Sequence, residues 1–282
     1  MALRELNVMT LQTFFSGLEV GHETAKKIKD TLANIMNSAV DFGLLIRNPL
    51  GSVKLLRPRV GRKVKPYITP EQFDKLVALI AEPYATMVYV CVLSGLRVSE
   101  LIGLKWDDVH VDSLTIDERF CRGNWGTTKT AGSSATLAVD QKVIERIQQL
   151  KDAEVTINWG ANGAKKSFKL VRSDNRGDLV FQSVRKGGPM SDSNVLSRHL
   201  KPAARKLGLG WVNWQVLRRS YGTRMVEAGA EPKAVQAQMR HSRISTTMDM
   251  YAQFVPASQR RAVAQMMDMV SQRTAKAHAL AS

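Results

Sequence analysis

The feature that most constrains this chain is a break. Between Lys54 and Lys65 the sequence reads KLLRPRVGRKVK. Pro58 has no N–H to give a helix, and Gly61 loses the most entropy on being held in one. Lys54, Arg57, Arg59, Arg62, Lys63 and Lys65 crowd the same stretch, repel one another and stay in water. Regular structure on either side must therefore find its own core. The expected division is a helical body at residues 1–56, a basic linker at 57–67, a larger body at 68–258, and a terminal helix and tail at 259–282. Such a linker either follows a phosphate backbone or is a solvated loop between domains.

Charge favours the first of these. Lys and Arg number 41 against 25 Asp and Glu, a net charge of +16, so a polyanion is the expected partner, with nucleic acid foremost. No basic helix carries a strong lipid-facing stripe, so a membrane surface is not expected. The longest apolar run, Tyr84 to Leu93, is far too short to span a bilayer, and the N-terminus has no signal-peptide pattern. The two cysteines, Cys91 and Cys121, form no CxxC or Cys/His spacing. Neither a zinc site nor a disulfide framework is indicated, which suits a reducing cytosol.

The hydrophobic pattern is mainly helical. Residues 10–18 and 24–42 read as helices, the second with Ile28, Leu32, Ile35, Met36 and Ala39 on one face. Two or three helices are short of a self-standing core, so the first body is expected to be incomplete. Thr69-Pro70-Glu71-Gln72 has the form of a capping box that opens a helix. An apolar helix over 84–93 is broken at Ser94-Gly95, and another starts at Val98. Arg97 then lies at a helix junction, and Glu100 can reach back to its guanidinium. Residues 109–139 alternate as short strands and read as a three-stranded antiparallel sheet, with Lys129 between the second and third strands. Residues 151–178 read as an exposed basic insertion with room for one hairpin. Helices are expected over 192–207, 215–228, from Pro232, from a Ser245 cap through Tyr251, and over 259–273. The fold class is thus mainly α with a small antiparallel sheet.

Four motifs carry a resemblance. SGLRVSEL with Arg97, TKT with Lys129, QVLRRSY with Arg218, and RHSRISTTMDMY with His241 and Tyr251 are similar to the ordered motifs of the tyrosine recombinase, or phage integrase, family. KPYITPEQ resembles the opening of the family's catalytic domain. Thr24 to Val53, ending in RNPLGSVK, is similar to the second half of its helical (SAM-like) core-binding domain. Each motif alone is weak. Their order, and His241 ten residues before Tyr251, make the set specific.

The resemblance implies a site-specific recombinase that cleaves and rejoins double-stranded DNA through a 3′-phosphotyrosine, as a tetramer on DNA. The two bodies would clamp the duplex, and the setting would be the cytoplasm of a bacterium, as a phage-derived or nucleoid-associated protein. Tyr251 would be the nucleophile. Arg97 and Arg218 would neutralise charge gathering on the phosphate, with Glu100 in support. His241 would add a hydrogen bond, and Lys129 would give the leaving 5′-oxygen its proton. Arg219 reads as a contact to the DNA backbone or the surface, alongside the linker cations Lys54, Arg57, Arg59, Arg62, Lys63 and Lys65. No metal is implied, since the sequence has no acidic cluster, and no cofactor or ATP.

One position departs from the family. The HxxR box has Gln215 where His is usual, and glutamine cannot accept a proton near pH 7. Two other readings stay open at this point. One is strand cleavage of the type IB topoisomerase kind. The other is a catalytically weak DNA-binding protein that kept the fold. The stripe Val263, Met266, Met267 and Val270 either packs on its own domain or docks on a neighbouring subunit.

Overall fold

The computed structural model describes residues 5–56, 65–127, 135–159, 164–251, 263–264 and 266–269. Arg57, Arg59, Arg62, Lys63, Lys129 and Val270 fall outside these residues. The chain divides into two compact units, Met1–Val64 and Lys65–Ser282.

The first unit is helical. Asn7 caps α1 (Val8–Ser16) through a 2.9 Å bond from the Thr10 N–H. Helix α2 (His22–Asp41) is followed by a 3-10 turn at Pro49–Ser52. Leu11, Phe15, Met36, Leu50 and Val53 make one buried cluster. Gln12 closes the unit by two bonds of 2.9 Å to the backbone of Lys54, whose side chain stays in water. The expected face of α2 needs one correction. Met36 and Ala39 are buried, but Ile35 is 56% exposed, because the contact follows the Met36 side of the helix.

The second unit is built around a buried helix. Thr69 and Gln72 form the anticipated capping box at the start of α3 (Pro70–Ala78). Helix α4 (Tyr84–Ser94) is apolar nearly all round, the pattern of a helix enclosed on every side. It lies against α3, α5 (Val98–Gly103), α6 (Gln141–Gln148) and α9 (Trp214–Glu227). Helix α9 is itself buried on several faces, through Trp214, Val216, Leu217, Ser220, Thr223 and Val226. Two short helices, α10 (Pro232–Met239) and α11 (Ile244–Tyr251), fold back on α9 around Val226, Val235, Met239 and Met250. Gly222 permits that approach, since a Cβ there would stand 2.8 Å from Met250 Sδ.

The strands differ from the expected three-stranded sheet. They form two separate ladders. Strand β1 (Ser113–Ile116) pairs antiparallel with β4 (Ala135–Ala138), and β2 (Glu118–Cys121) with β3 (Asn124–Thr127). The cause is local. Arg122 and Gly123 both take positive φ, 51° and 86°, which is the two-residue turn that matches strand twist. It folds β2 onto β3, and the chain returns to β1 only afterwards. The insertion forms one hairpin, β5 (Glu154–Trp159) with β6 (Ala164–Lys169).

The helix expected over 192–207 is interrupted. It runs as α7 (Asp192–Val195), a π turn at Leu196–Leu200 and α8 (Lys201–Lys206). Pro202 has no N–H to return to the preceding turn, so the hydrogen-bond ladder widens just before it. Helix α11 begins at Ile244, so Ser245 lies inside its first turn rather than capping it. Of the terminal segment, residues 263–264 and 266–269 are helical, and Val263, Met266 and Met267 are exposed.

Candidate active site

The two arginines of the sequence motifs meet at the ends of two helices. Helix α4 stops at Gly95, whose φ of +68° is the left-handed conformation that closes helices. Helix α10 stops at Arg240, also left-handed, with φ +47°. A helix end leaves carbonyls without intrahelical partners, and they carry partial negative charge. Arg218, near the middle of α9, fills that need at both ends. Its Nη1 donates to the Gly95 carbonyl and its Nη2 to the Met239 carbonyl. Burial, then the positive charge of Arg97, pulls its pKa down to about 10, so it remains a cation at neutral pH.

Gly95 is needed for this geometry. A Cβ there would stand 2.5 Å from Tyr221 Cδ1 on α9, so α4 and α9 could not approach closely enough. The left-handed φ would also strain any other residue.

Arg97 is the N-cap of α5 and its side chain is 45% exposed. Glu100, one turn on, accepts its Nη1 at 2.8 Å and its backbone N–H at 2.7 Å. Arg97 Nη2 donates to the Arg240 carbonyl at 3.0 Å. Glu100 also accepts from Arg240 Nη2. Burial alone would push the Glu100 carboxyl up, but Arg240, then Arg97 and its hydrogen bonds, outweigh it and hold the group below its usual value.

His241 follows Arg240 directly. Its Nδ1 lies 3.0 Å from Thr247 Oγ1, on the buried side of α11. Its carbonyl accepts from Gln236 at 3.0 Å. Burial, then Arg218, Arg97 and Arg240, hold its pKa down at about 4, so the imidazole is neutral at physiological pH.

Tyr251 ends α11. It packs on the apolar cluster of Val226, Val235, Met239 and Met250. Its hydroxyl donates to the Ala230 carbonyl, at the turn between α9 and α10. Burial, then the nearby Glu231 carboxylate, raises its pKa above the ordinary phenol value. Gln215 is exposed on the first turn of α9. Arg219 leaves the site and donates to the Pro66 carbonyl at 3.1 Å. Lys65 is exposed at the start of the second unit.

Arg97, Arg218, Glu100 and His241 thus come together, although more than a hundred residues separate the first arginine from the second. Sequence reasoning missed Arg240 and Thr247, which sit inside the quoted RHSRISTTMDMY stretch without drawing notice. It also missed the carbonyls of Gly95, Met239 and Ala230, for which Gly95 was the only visible signal. Among the described residues no group of three or more His, Cys, Asp or Glu side chains is placed to hold a metal. No described helix is long and apolar enough to cross a membrane.

Known proteins show the same arrangement of chain. The model of the phage integrase family matches residues 66–257. The ICEBs1 integrase of Bacillus subtilis (strain 168) is 25% identical over 260 residues, which cover 89% of this chain and 67% of that protein. The chain therefore spans about two thirds of that relative's length. Among solved structures, the Tn1549 transposon integrase in complex with transposon right end DNA superposes with a TM-score of 0.72 at 18% identity, over 93% of this chain and 87% of that one. A lambda integrase tetramer bound to a Holliday junction superposes with a TM-score of 0.58 at 18% identity, over 86% of this chain and 66% of that one.

Proposed function

This chain belongs to the phage integrase family, and on that premise we propose that it is a site-specific recombinase using Tyr251, Arg97, Arg218, His241 and Lys129. The Tyr251 oxygen attacks a phosphorus of the DNA backbone. The bond to the 5′-oxygen breaks, a 3′-phosphotyrosine forms, and Lys129 protonates the departing 5′-hydroxyl. A 5′-hydroxyl from a partner strand then attacks the phosphotyrosine and releases the tyrosine. The ester bond to the 5′-oxygen is exchanged for an ester to Tyr251, so the energy for rejoining is held in the phosphotyrosine and the scheme needs no ATP.

The observation that carries this reading is the pair of guanidiniums fixed by helix-end carbonyls. Arg97 and Arg218 reach the site with their orientation already set, and charge stabilisation in place before the reaction needs no reorganisation during it. Arg97 is the more open of the two and takes the phosphate from the solvent side. His241 Nδ1 is engaged with Thr247, and in the tautomer where Thr247 is the donor, Nε2–H is left to donate to a phosphate oxygen. Glu100 supports Arg97. Gln215 replaces a proton acceptor with a group that can only hydrogen-bond, so water or another group takes the phenol proton.

The partner is double-stranded DNA at a specific site, with Lys54, Arg57, Arg59, Arg62, Lys63, Lys65 and Arg219 supplying backbone contacts. The working form is a tetramer on DNA, in the cytoplasm of a bacterium. The exposed Val263, Met266 and Met267 are suited to docking on a neighbouring subunit.

The test begins with the DNA that the protein retains from a genomic library, which identifies a site. A nicked suicide duplex of that site should trap a covalent protein–DNA adduct, and Tyr251→Phe should give none while still binding the site. Binding without an adduct from the parent protein would instead support a DNA-binding protein that has lost catalysis. Relaxation of supercoils without exchange between paired sites would support a topoisomerase.

A further inference from the structure

Glu100 serves two arginines. One oxygen takes Arg97 Nη1, and the other takes the Arg97 backbone N–H and Arg240 Nη2. Arg240 meets Arg97 a second time through its own carbonyl. The Arg240 side chain is 10% exposed, and its Nε and Nη1 are buried without a partner among the described residues. Its backbone holds a left-handed φ that favours glycine. Buried, unpartnered N–H groups and a left-handed arginine both cost stability. A residue kept for packing alone would not combine them.

Charge gives a reason. Arg97 and Arg218 bring two positive charges to the site, and Glu100 cancels one. Attack on a phosphodiester by a phenolate gathers two negative charges around phosphorus before the leaving oxygen is protonated. Arg240 restores the missing positive charge. It does so from behind, bonded to the carboxylate rather than facing solvent.

We propose that Arg240 is a positioning residue that neutralises Glu100, so that Arg97 meets the scissile phosphate with its full charge and a fixed orientation. This rests on the recombinase reading above. Arg240 acts through Glu100 and Arg97 and does not itself touch the phosphate.

Arg240→Gly suits the left-handed backbone and removes only the side chain. It should slow adduct formation by about ten- to a hundredfold, less than the roughly hundred- to thousandfold cost of losing a group in direct contact with the charge, because Arg240 acts through Glu100. Binding to the uncleaved site should change little. Arg240→Lys, which keeps the charge, should retain most of the rate. The decisive arm is the double variant Arg240→Gly with Glu100→Gln. With the carboxylate gone there is nothing for Arg240 to neutralise, so the double variant should be several-fold faster than Arg240→Gly, short of the parent because glutamine keeps only one of the two acceptor oxygens that orient Arg97. A purely structural role would not be repaired by a second substitution. Cleavage by Arg240→Gly at the parent rate, or a double variant no faster than Arg240→Gly, would overturn the proposal. A second readout needs no cleavage. The His241 imidazole, followed by NMR in the protein alone, should titrate at higher pH in Arg240→Gly and unchanged in Arg240→Lys. If the parent forms no adduct at all, the recombinase reading fails. The charge balance assigned to Arg240 is then judged by this titration, and an unmoved His241 would refute it.

Discussion

The arginines and the tyrosine are held in opposite ways. Arg218 is locked at both forks of its guanidinium by backbone carbonyls, and Arg97 by a carboxylate and a third carbonyl. Gly95 and Glu100 sit on helices packed in the large core of the second unit, whereas Met239 and Arg240 lie at the end of α10, in the small cluster against which Tyr251 also packs. Tyr251 ends the short helix α11, with one hydrogen bond from its hydroxyl to Ala230. Among the described residues that bond goes neither to His241 nor to an arginine. The two arginines, to which we assign charge stabilisation, are each held by more than one hydrogen bond. The hydroxyl of Tyr251, our proposed nucleophile, makes one. The tyrosine side is also where a proton acceptor is needed, since burial and Glu231 both favour the protonated phenol.

The arginine side should break most severely when its forks are removed. Arg218→Ala is expected to reduce adduct formation by at least about a hundredfold to a thousandfold, the usual cost of losing a preorganised charge stabiliser. Arg218→Lys should rescue little. An ammonium is a single point and cannot hold two divergent carbonyls while facing a phosphate. Single-turnover cleavage on a suicide duplex measures both. Near-parental cleavage by the lysine variant would show that charge, and not the fork, is what matters.

Gly95→Ala tests the carbonyl support without touching either arginine. The new methyl meets Tyr221 at 2.5 Å in a backbone conformation that alanine resists. A loss of about 1–3 kcal/mol in stability is expected from overpacking and strain together. Cleavage should fall as well, because the Gly95 carbonyl moves from under Arg218. Denaturant unfolding and adduct rates, measured side by side, separate the two effects. A stable variant that cleaves normally would mean that Arg218 does not depend on that carbonyl.

Much of this could be read from the chain because it is written in local chemistry. The Thr69–Gln72 capping box, the Glu100 reach to Arg97 and the helix break at Gly95 all follow from residues a turn apart. The order of motifs pointed to the family that the chain belongs to, and the proposed site rests on the same motifs. What stayed hidden depends on φ angles or on distant backbone. Arg240 looks like an ordinary surface cation until its positive φ turns it inward toward Glu100. A carbonyl has no signature in a sequence, so the cradle for Arg218 could not be read there. The Arg122-Gly123 turn escaped notice because arginine is an uncommon residue at positive φ, and the strand pairing was misassigned with it. The roles of Lys129 and of most linker cations rest on sequence alone.

His241 gives a smaller effect with a defined direction. Its folded pKa of about 4 lies below its ordinary value of 6.5. Above about pH 6.5 both folded and unfolded imidazoles are neutral, and the shift contributes nothing. As pH falls from about 6.5 towards 4, the unfolded state takes up a proton that the folded state does not, so stability falls with pH across that window. Comparing the pH dependence of stability in the parent and in His241→Gln isolates this component, and the variant should be less sensitive between those values. Adduct formation should show no His241 inflection between about pH 6 and 8. An inflection there that disappears in His241→Gln would mean that DNA raises the imidazole pKa and that the residue works as an acid.

The smallest effect concerns the tyrosine side. Gln215→His places a proton acceptor on the exposed first turn of α9, where the family usually has one. General-base assistance is worth about a hundredfold at best geometry, but this side chain is in water and Tyr251 is turned to Ala230. The expected gain is therefore modest, with cleavage kept or raised by up to about tenfold. The rise should be steepest between pH 6 and 7, where an exposed imidazole loses its proton. A gain without that pH dependence would point to improved DNA contact rather than proton transfer. A large loss would show that the glutamine amide has a hydrogen-bonding role of its own. In that case the missing base would be a substitution of function and not an absence.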